Sequence, residues 1–320
     1  MAQPSPRVLL LHQKADRTGD EDKMKTLMSN TLRAAGMLAA VLATSAVMTG
    51  PGNAAGGEPI HIEREDWSFG GFFGHFDRPQ LRRGFQVYKD VCAACHGLSR
   101  VYFRNLAEPG GPMFDEASVQ ALAKDWPNQI TDGPNDEGNM FQRPAKLSDP
   151  IHGPYKNEQE ARFVNNGAYP PDLSNIIKAR TIENHDAWYA HVFKMGRDIL
   201  TGYQEAGADY VHALLVGYTD PPSGFELSEG MHYNKAFPGH QIAMNPPIPP
   251  EGAVEYQENA GAKSSLEQNA RDVTAFLAWA SDPSLESRKR IGWQVMLYLL
   301  VTTVLLYIAK HRIWARVKKR

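Results

Sequence analysis

The chain has 320 residues, a formal net charge of −2 and only two cysteines. The overall charge conceals an acidic region, because residues 58–287 contain 32 acidic and 19 basic side chains, a formal charge of −13. A domain of that sign repels nucleic acid and attracts basic protein partners. We therefore expect no nucleic-acid binding. A disulfide is also excluded if both cysteines serve one motif.

Two segments precede the expected folded region. Residues 1–23 are polar and charged, and we interpret them as a non-native or dispensable leader. Residues 24–55 contain basic residues, then an apolar run at 34–48, then small residues, which is typical of a secretory signal peptide. A transmembrane anchor is the alternative, but the run is short and rich in alanine. We therefore expect residues 56–287 to form an exported domain.

The first predicted helix leads into the cysteines. Asp77 is a suitable N-cap, and a proline follows in the first turn. Apolar residues then recur at steps of four, three and four from Leu81 to Cys92, which indicates one apolar helix face. Gly84 lies on this helix and favours the close approach of another helix.

Residues 92–96 are Cys-Ala-Ala-Cys-His, the spacing at which c-type haem is attached. Cys92 and Cys95 can each add to one vinyl group of the porphyrin, and His96 can then supply a nitrogen to the iron. A thioredoxin-like redox pair is one alternative, but no βαβ pattern surrounds it. A zinc site is another, but no second ligand pair follows. The motif predicts one covalent haem c per chain.

The region after the motif is rich in proline, and its strand signals are weak. Short helices are predicted at 116–125, 158–166 and 184–197, and a last soluble helix at 272–280. A few helices and long loops around a haem are the simplest architecture. We therefore expect a mainly α fold, a class I-like c-type cytochrome domain. Small cytochromes of that type cross their first and last helices at a glycine–aromatic contact, and Gly84 and the aromatic residues of 272–280 could form it.

The motif does not identify the second iron ligand. Met244 has the strongest context, because the prolines that follow it stiffen the loop and because it precedes the last soluble helix. The competing candidates are four methionines and five histidines: Met113, Met140, Met195, Met231, His75, His152, His212, His232 and His240. A Met ligand gives a closed electron carrier, whereas an open position suits ligand binding or peroxide chemistry.

A second apolar run indicates a membrane span. Residues 291–309 have no formal charge, and as a helix rising about 1.5 Å per residue they are long enough to cross a bilayer. Six basic residues follow the run and three precede it, which favours a cytoplasmic C-terminus. We expect a transmembrane helix at 288–309 and a basic cytoplasmic tail at 310–320, with the haem domain on the periplasmic side of a bacterial inner membrane.

Together these motifs resemble the cytochrome c1 family, the haem subunit of the cytochrome bc1 complex (quinol–cytochrome c reductase). The similar segments are residues 82–88, 132–135, 140–144, 165–174 and 237–244, together with the tail from residue 272 through the membrane helix. The resemblance implies that Met244 is the second iron ligand. It also implies that Arg143 contacts a haem propionate and that Pro134 packs on the haem face. Residues 181–209 look like an insertion of unassigned role.

The resemblance further implies a single-pass electron-transfer subunit with no catalytic activity of its own. The implied partners are the membrane, cytochrome b, the Rieske iron–sulfur protein as electron donor and a c-type cytochrome as acceptor. Two alternatives stay open. The first is a membrane-anchored cytochrome of an oxidase or nitrite reductase, which would not co-purify with a cytochrome b. The second is an enzyme or sensor with an open haem, such as a peroxidase, which would bind carbon monoxide when reduced.

Overall fold

A computed structural model describes residues 60, 62–181, 188–201, 203, 206–256 and 261–317. The expected leader at 1–23, the signal peptide at 24–55 and the last three residues of the basic tail lie outside the described residues.

The described part of the chain is mainly helical, as predicted, and its strands are short. The α-helices are α1 Arg78–Asp90, α2 Glu116–Lys124, α3 Glu158–Val164, α4 Ile176–Ala179, α5 Trp188–Thr201, α6 Ala206–Val216, α7 Leu266–Ser281 and α8 Leu285–Val317. The strands are β1 Leu98–Tyr102, β2 Ile130–Asp132, β3 Phe141–Arg143, β4 Pro150–Ile151, β5 His232–Tyr233 and β6 Gln241–Ile242. They form three antiparallel pairs, β1 with β4, β2 with β3, and β5 with β6.

Helix α1 begins where its capping signal predicts. The Asp77 side chain accepts a hydrogen bond from the backbone N–H of Gln80, with donor and acceptor 3.3 Å apart. The helix ends at Asp90, and residues Cys92–Ala94 form one 3-10 turn. The haem motif therefore follows the C-terminal end of α1 directly.

Helix α7 is longer than the sequence pattern predicts. It begins at Leu266 instead of residue 272, because Ser265 caps it by accepting from the backbone N–H of Gln268. Its first turn carries no continuous apolar face, so periodicity alone misses it. From Val273 to Ala280 nearly every side chain is buried, and this part of α7 is the centre of the hydrophobic core.

Helices α1 and α7 cross at Gly84, as the sequence predicts. A Cβ atom on Gly84 would lie 2.0 Å from the carbonyl oxygen of Asp272 and 2.7 Å from Cβ of Phe276. The ring of Phe276 lies 5.5 Å from that of Phe85 and 5.8 Å from that of Tyr88, so aromatic contacts extend from the crossing toward the haem motif. The predicted glycine–aromatic contact is therefore present.

An ion pair lies beside this crossing. Arg83 donates to both oxygens of Asp272, at 2.8 and 3.1 Å, and the Asp272 carboxylate is fully buried. Gln268 donates to the same carboxylate at 2.9 Å. A buried carboxylate is tolerated only when it is paired and hydrogen-bonded. The pair therefore fixes how α1 and α7 are aligned.

Helix α8 begins beside the opposite end of α1. Glu286, in its first turn, accepts from the backbone N–H of Phe76 at 2.7 Å and from the Arg78 guanidinium at 2.6 Å. Within Leu285–Ala315, the most apolar 18-residue window has a mean hydropathy of 1.9 and is not buried within the protein, so the helix can cross a membrane. Since α1 has 13 residues, the haem motif lies about 20 Å along it from this contact.

Sequence reasoning missed α4 and α6 and the short strand pairs. Helix α6 is buried on most sides, so it lacks the one-sided apolar pattern on which the predictions depend. Helix α5 is present from Trp188, whereas residues 184–187 of the predicted helix at 184–197 lie outside the described residues.

We expect Gly84→Ala to destabilise the domain, because the new methyl group would force the two helices apart. Overpacking of this kind costs about 1–3 kcal/mol in the free energy of unfolding, which urea unfolding of the haem-loaded protein can measure. Gly196→Ala in α5 is the matched control, because its Cβ would meet no atom within 4 Å. Equal stability of the two variants would contradict the close crossing.

Candidate haem site

The two cysteines of the motif are held by a short turn. The backbone N–H groups of Cys95 and His96 both donate to the carbonyl oxygen of Cys92, at 3.1 and 2.8 Å. Neither cysteine forms a disulfide. Burial, together with the neighbouring Cys95, raises the pKa of the Cys92 thiol to about 12.

The imidazole of His96 is oriented by a backbone carbonyl. Its Nδ1 lies 2.7 Å from the carbonyl oxygen of Pro171. A carbonyl oxygen can only accept, so Nδ1 carries the proton and Nε2 has the free lone pair. Burial lowers the pKa of His96, an effect that the Pro171 hydrogen bond partly offsets. The neutral ring therefore presents Nε2 in the form that binds iron.

The segment that contains Pro171 also holds the chain after the motif. The Asp172 carboxylate accepts from the backbone N–H groups of Ser99 at 2.8 Å and Ser174 at 2.9 Å. The backbone N–H of Leu173 donates to the carbonyl oxygen of Gly97 at 2.9 Å. These bonds fix the position of the Pro171 carbonyl relative to His96. Sequence reasoning assigned no role to the Pro171 carbonyl, because a backbone acceptor has no side-chain signature.

Two further side chains support the motif. The Tyr88 hydroxyl donates to the carbonyl oxygen of His96 at 3.0 Å, which links the last turn of α1 to the predicted ligand. The Tyr155 hydroxyl contacts Cys95 and accepts from the Asn165 side chain at 2.9 Å. Burial raises the pKa of both tyrosines, so their hydroxyls stay protonated.

Arg143 is held by two carboxylates. Its guanidinium donates to both oxygens of Asp149, at 2.6 and 3.0 Å, and also to Asp132. These contacts raise the pKa of Arg143 and lower the pKa of each carboxyl group. A haem propionate would join this cluster or replace Asp132, whose side chain is 43% exposed against 13% for Asp149. The propionate contact stays a prediction.

Pro134 lies in the loop that joins β2 to β3, and the structure leaves it exposed. The Asn135 side chain stiffens this loop by accepting from the backbone N–H groups of Glu137 and Asn139, at 3.1 and 2.8 Å. Met140 and Phe141 next to it are also exposed, at 60% and 44%. An exposed apolar edge of this kind suits a haem face, but the packing of Pro134 on haem stays a prediction.

The β2–β3 loop is connected to the motif through Asp149. This residue pairs with Arg143 and immediately precedes β4, and β4 pairs with β1. Strand β1 begins two residues after His96. The structure therefore joins the predicted propionate contact to the cysteine–histidine turn by a short series of direct contacts.

Met244 lies in a loop whose backbone is fixed on both sides. Its carbonyl oxygen accepts from the Tyr218 hydroxyl at 3.0 Å. The preceding strand β6 pairs with β5, and the next residue, Asn245, is within 2.6 Å of the His232 ring through its side-chain oxygen. The Met244 side chain is half-buried. A fixed backbone is what a weak thioether ligand needs, and this role for Met244 stays a prediction.

The structure argues against several competing ligands. Met113 and His75 lie near the start of α1: the carbonyl oxygen of Met113 accepts from Arg82, and His75 precedes the helix. Both are therefore separated from Cys92 by most of the length of α1. His212 is 4% exposed and packs against the ring of Trp67, beside α7. Met140 and Met195 are about 60% exposed.

The residues present fit a covalently attached haem. Two unbridged thiols are separated by two residues, and the adjacent imidazole presents a free nitrogen whose ring is fixed by Pro171. A thioether of suitable type is held in a separate rigid loop at Met244. With the Met244 sulfur as second ligand, this set of donors would suit a haem c that carries electrons.

Comparison with known proteins identifies the family of the chain. A sequence profile of the Cytochrome C1 family matches residues 67–317. The chain is 45% identical over 292 residues to "Cytochrome c1" of Blastochloris viridis, covering 91% of this chain and 99% of that protein. It is 36% identical over 311 residues to "Cytochrome b-c1 complex catalytic subunit, mitochondrial" of Candida albicans, covering 97% of each chain.

A longer relative matches this chain over part of its own length. The chain is 48% identical over 250 residues to "Cytochrome b/c1" of Bradyrhizobium diazoefficiens, covering 78% of this chain. The chain spans about a third of that relative, since the match covers 35% of it.

Proposed function

The chain belongs to the cytochrome c1 family, and we propose how it works as the haem-carrying electron-transfer subunit of a cytochrome bc1 complex. Cys92 and Cys95 hold haem c through two thioether bonds, and His96 Nε2 and the Met244 sulfur are the two iron ligands. The observation that carries this proposal is the bond from His96 Nδ1 to the Pro171 carbonyl, because it leaves Nε2 for iron. One-electron transfer is the chemistry that the haem supplies when bound.

The remaining residues keep the ligands in place and limit access to the iron. Pro171 and Tyr88 fix the His96 ring and backbone. Tyr218 fixes the backbone of Met244. A site with both axial positions filled reacts by electron transfer and not by ligand binding, which disfavours the peroxidase or sensor alternative. Arg143, held by Asp132 and Asp149, provides a fixed cation for a propionate.

The protein is a membrane-anchored subunit, and we propose that its haem domain faces the periplasm. The membrane helix α8 begins beside the N-terminal end of α1, and the haem motif lies at the other end. Basic residues are more numerous after the apolar run than before it, which favours a cytoplasmic C-terminus. This arrangement keeps the haem away from the bilayer and accessible to partners.

We propose cytochrome b and the Rieske iron–sulfur protein as partners within the complex, and a basic c-type cytochrome as the electron acceptor. The acceptor is supported by charge, since residues 58–287 carry a formal charge of −13. Asp136 and Glu137 are exposed on the β2–β3 loop, next to the proposed propionate contact. Asp132 is paired with Arg143 and is less available to a partner.

Both cysteines should be needed for full covalent attachment. We expect Cys92→Ser or Cys95→Ser to reduce haem staining after denaturing electrophoresis, and the double variant to abolish it, because each thiol forms one of the two bonds. Ala94→Ser is the matched control, since Ala94 lies between them and is exposed. Full staining of the double variant would refute covalent attachment at this motif.

Met244→Leu should lower the midpoint potential by more than about 60 mV, a tenfold change in the one-electron equilibrium. The reason is that a thioether ligand stabilises the reduced iron. We also expect the reduced variant to bind carbon monoxide, which an absorbance titration detects. Met231→Leu is the control, because Met231 lies in the same region of the chain and is partly exposed. An unchanged potential in Met244→Leu would exclude Met244 as a ligand.

The orientation can be tested with C-terminal fusions to the full chain. A green fluorescent protein after residue 320 should fluoresce, because it would remain in the cytoplasm, whereas alkaline phosphatase at the same position should be inactive. Fusions to a protein of known opposite orientation calibrate both reporters. Active phosphatase with no fluorescence would place the C-terminus in the periplasm and reject the proposed orientation.

Oxidation of the reduced complex by a basic cytochrome c should slow by about tenfold or more as salt rises from 10 to 500 mM in the assay, because screening weakens the attraction between opposite charges. Stopped-flow absorbance measures the rate. Asp136→Asn with Glu137→Gln should reduce the salt dependence more than Glu251→Gln, an exposed residue outside this loop. A rate that does not depend on salt would argue against electrostatic steering.

A further inference from the structure

We propose that Glu65, His212 and Glu267 form a binding site for one divalent transition-metal ion, of which Zn²⁺ is the representative, away from the haem. One ligand atom from each residue lies within 4.8 Å of the other two. Glu65 belongs to the segment before α1, His212 to α6 and Glu267 to the first turn of α7. The site would join three parts of the fold.

His212 provides the main evidence for a ligand. Its side chain is 95% buried, yet its Nε2 has no hydrogen-bond partner. That nitrogen lies 3.1 Å from Oε1 of Glu267 without the geometry of a hydrogen bond. Buried polar atoms nearly always have a hydrogen-bond partner. An ion bound to both the nitrogen and the carboxylate would supply the partner that this nitrogen lacks.

The distances suit a tetrahedral ion. With zinc–nitrogen and zinc–oxygen bonds of about 2.0–2.2 Å, neighbouring ligand atoms are about 3.3 Å apart, close to the 3.1 Å between His212 Nε2 and Glu267 Oε1. Arg271 holds Glu65 by donating to its Oε2 at 2.6 Å, while Glu65 Oε1 lies 3.8 Å from Nδ1, the other ring nitrogen of His212. Rotation of the Glu65 carboxylate toward Nε2 would complete three protein ligands, with water as the fourth.

The local charge also favours a cation. The carboxylates of Glu65 and Glu267 both lie beside His212, and Arg271 is paired with Glu65. The Asp209 carboxylate already accepts three hydrogen bonds. The donors are Trp67 Nε1 at 2.7 Å, the Glu65 backbone N–H and the Tyr203 hydroxyl. Asp209 therefore supports Glu65 instead of binding the ion. A doubly charged ion would balance the remaining negative charge.

The chemical types of the three protein ligands indicate which metal ions the site prefers. One imidazole and two carboxylates suit Zn²⁺ and related transition metals, whereas Mg²⁺ and Ca²⁺ prefer sites made of oxygen alone. The site would be structural, because it joins the segment before α1 to α6 and α7. Zn²⁺ bound to the folded protein only would raise its thermal stability.

The test uses the full haem-loaded chain, purified in detergent without a polyhistidine tag and dialysed against increasing Zn²⁺. Zinc and iron are counted together by mass spectrometry, so the haem iron reports the amount of protein. We expect saturation at one Zn²⁺ per iron and a higher midpoint of thermal unfolding with Zn²⁺ than without it. Excess Mg²⁺ should not displace the zinc.

Glu267→Gln is the decisive variant, because its side chain is 64% exposed and its substitution should leave the fold intact. Losing a supporting residue of a metal ligand already costs about 10–100-fold in affinity, so we expect the half-saturating Zn²⁺ concentration to rise at least tenfold. His212→Gln should abolish binding, and Glu251→Gln, on an exposed glutamate elsewhere, should leave it unchanged. The same half-saturating Zn²⁺ concentration for the wild type and Glu267→Gln would overturn the proposal, and so would a wild type that binds no zinc.

Discussion

The close contact between α1 and α7 at Gly84 is the constraint on which the remaining structure depends. No side chain larger than a hydrogen fits between Gly84 and the backbone of α7 at Asp272. The contact brings Phe276 against the rings of α1, and the paired Arg83 and Asp272 fix the alignment of the two helices. Because the haem motif follows α1 directly, this crossing also sets where the motif lies relative to the core.

Hydrogen bonds fix the residues of the candidate haem site. The His96 ring is set by the Pro171 carbonyl, and the strand after it by the Asp172 carboxylate. On the other side, Met244 is held through its own backbone by Tyr218. Loops can position ligands in this way because each hydrogen bond restricts the conformations that the backbone can adopt. Many short, fixed loops thus replace regular secondary structure around the site.

The carboxylates of the domain have different neighbours in different parts of the molecule. Close to the core, carboxylates are paired, as Asp272 is with Arg83 and Asp149 with Arg143. On the exposed β2–β3 loop, Asp136 and Glu137 remain available to a partner. Beside α6 and α7, the carboxylates of Glu65 and Glu267 exceed the local positive charge. The same residue type therefore aligns helices in one place, and in others is proposed to attract a partner or to bind a metal ion, according to what lies next to it.

Features that are local along the chain could be predicted from the amino-acid sequence. The cap at Asp77, helix α1, the Cys92–His96 spacing and the apolar span of α8 each lie within one continuous segment, so their patterns could be recognised directly. Tertiary structure alone decided the contacts between distant segments: the Pro171 carbonyl at His96, the two carboxylates around Arg143, and His212 between Glu65 and Glu267. Such contacts depend on how loops of different length meet in space, and a backbone carbonyl or a single buried histidine leaves no periodic signal in the sequence.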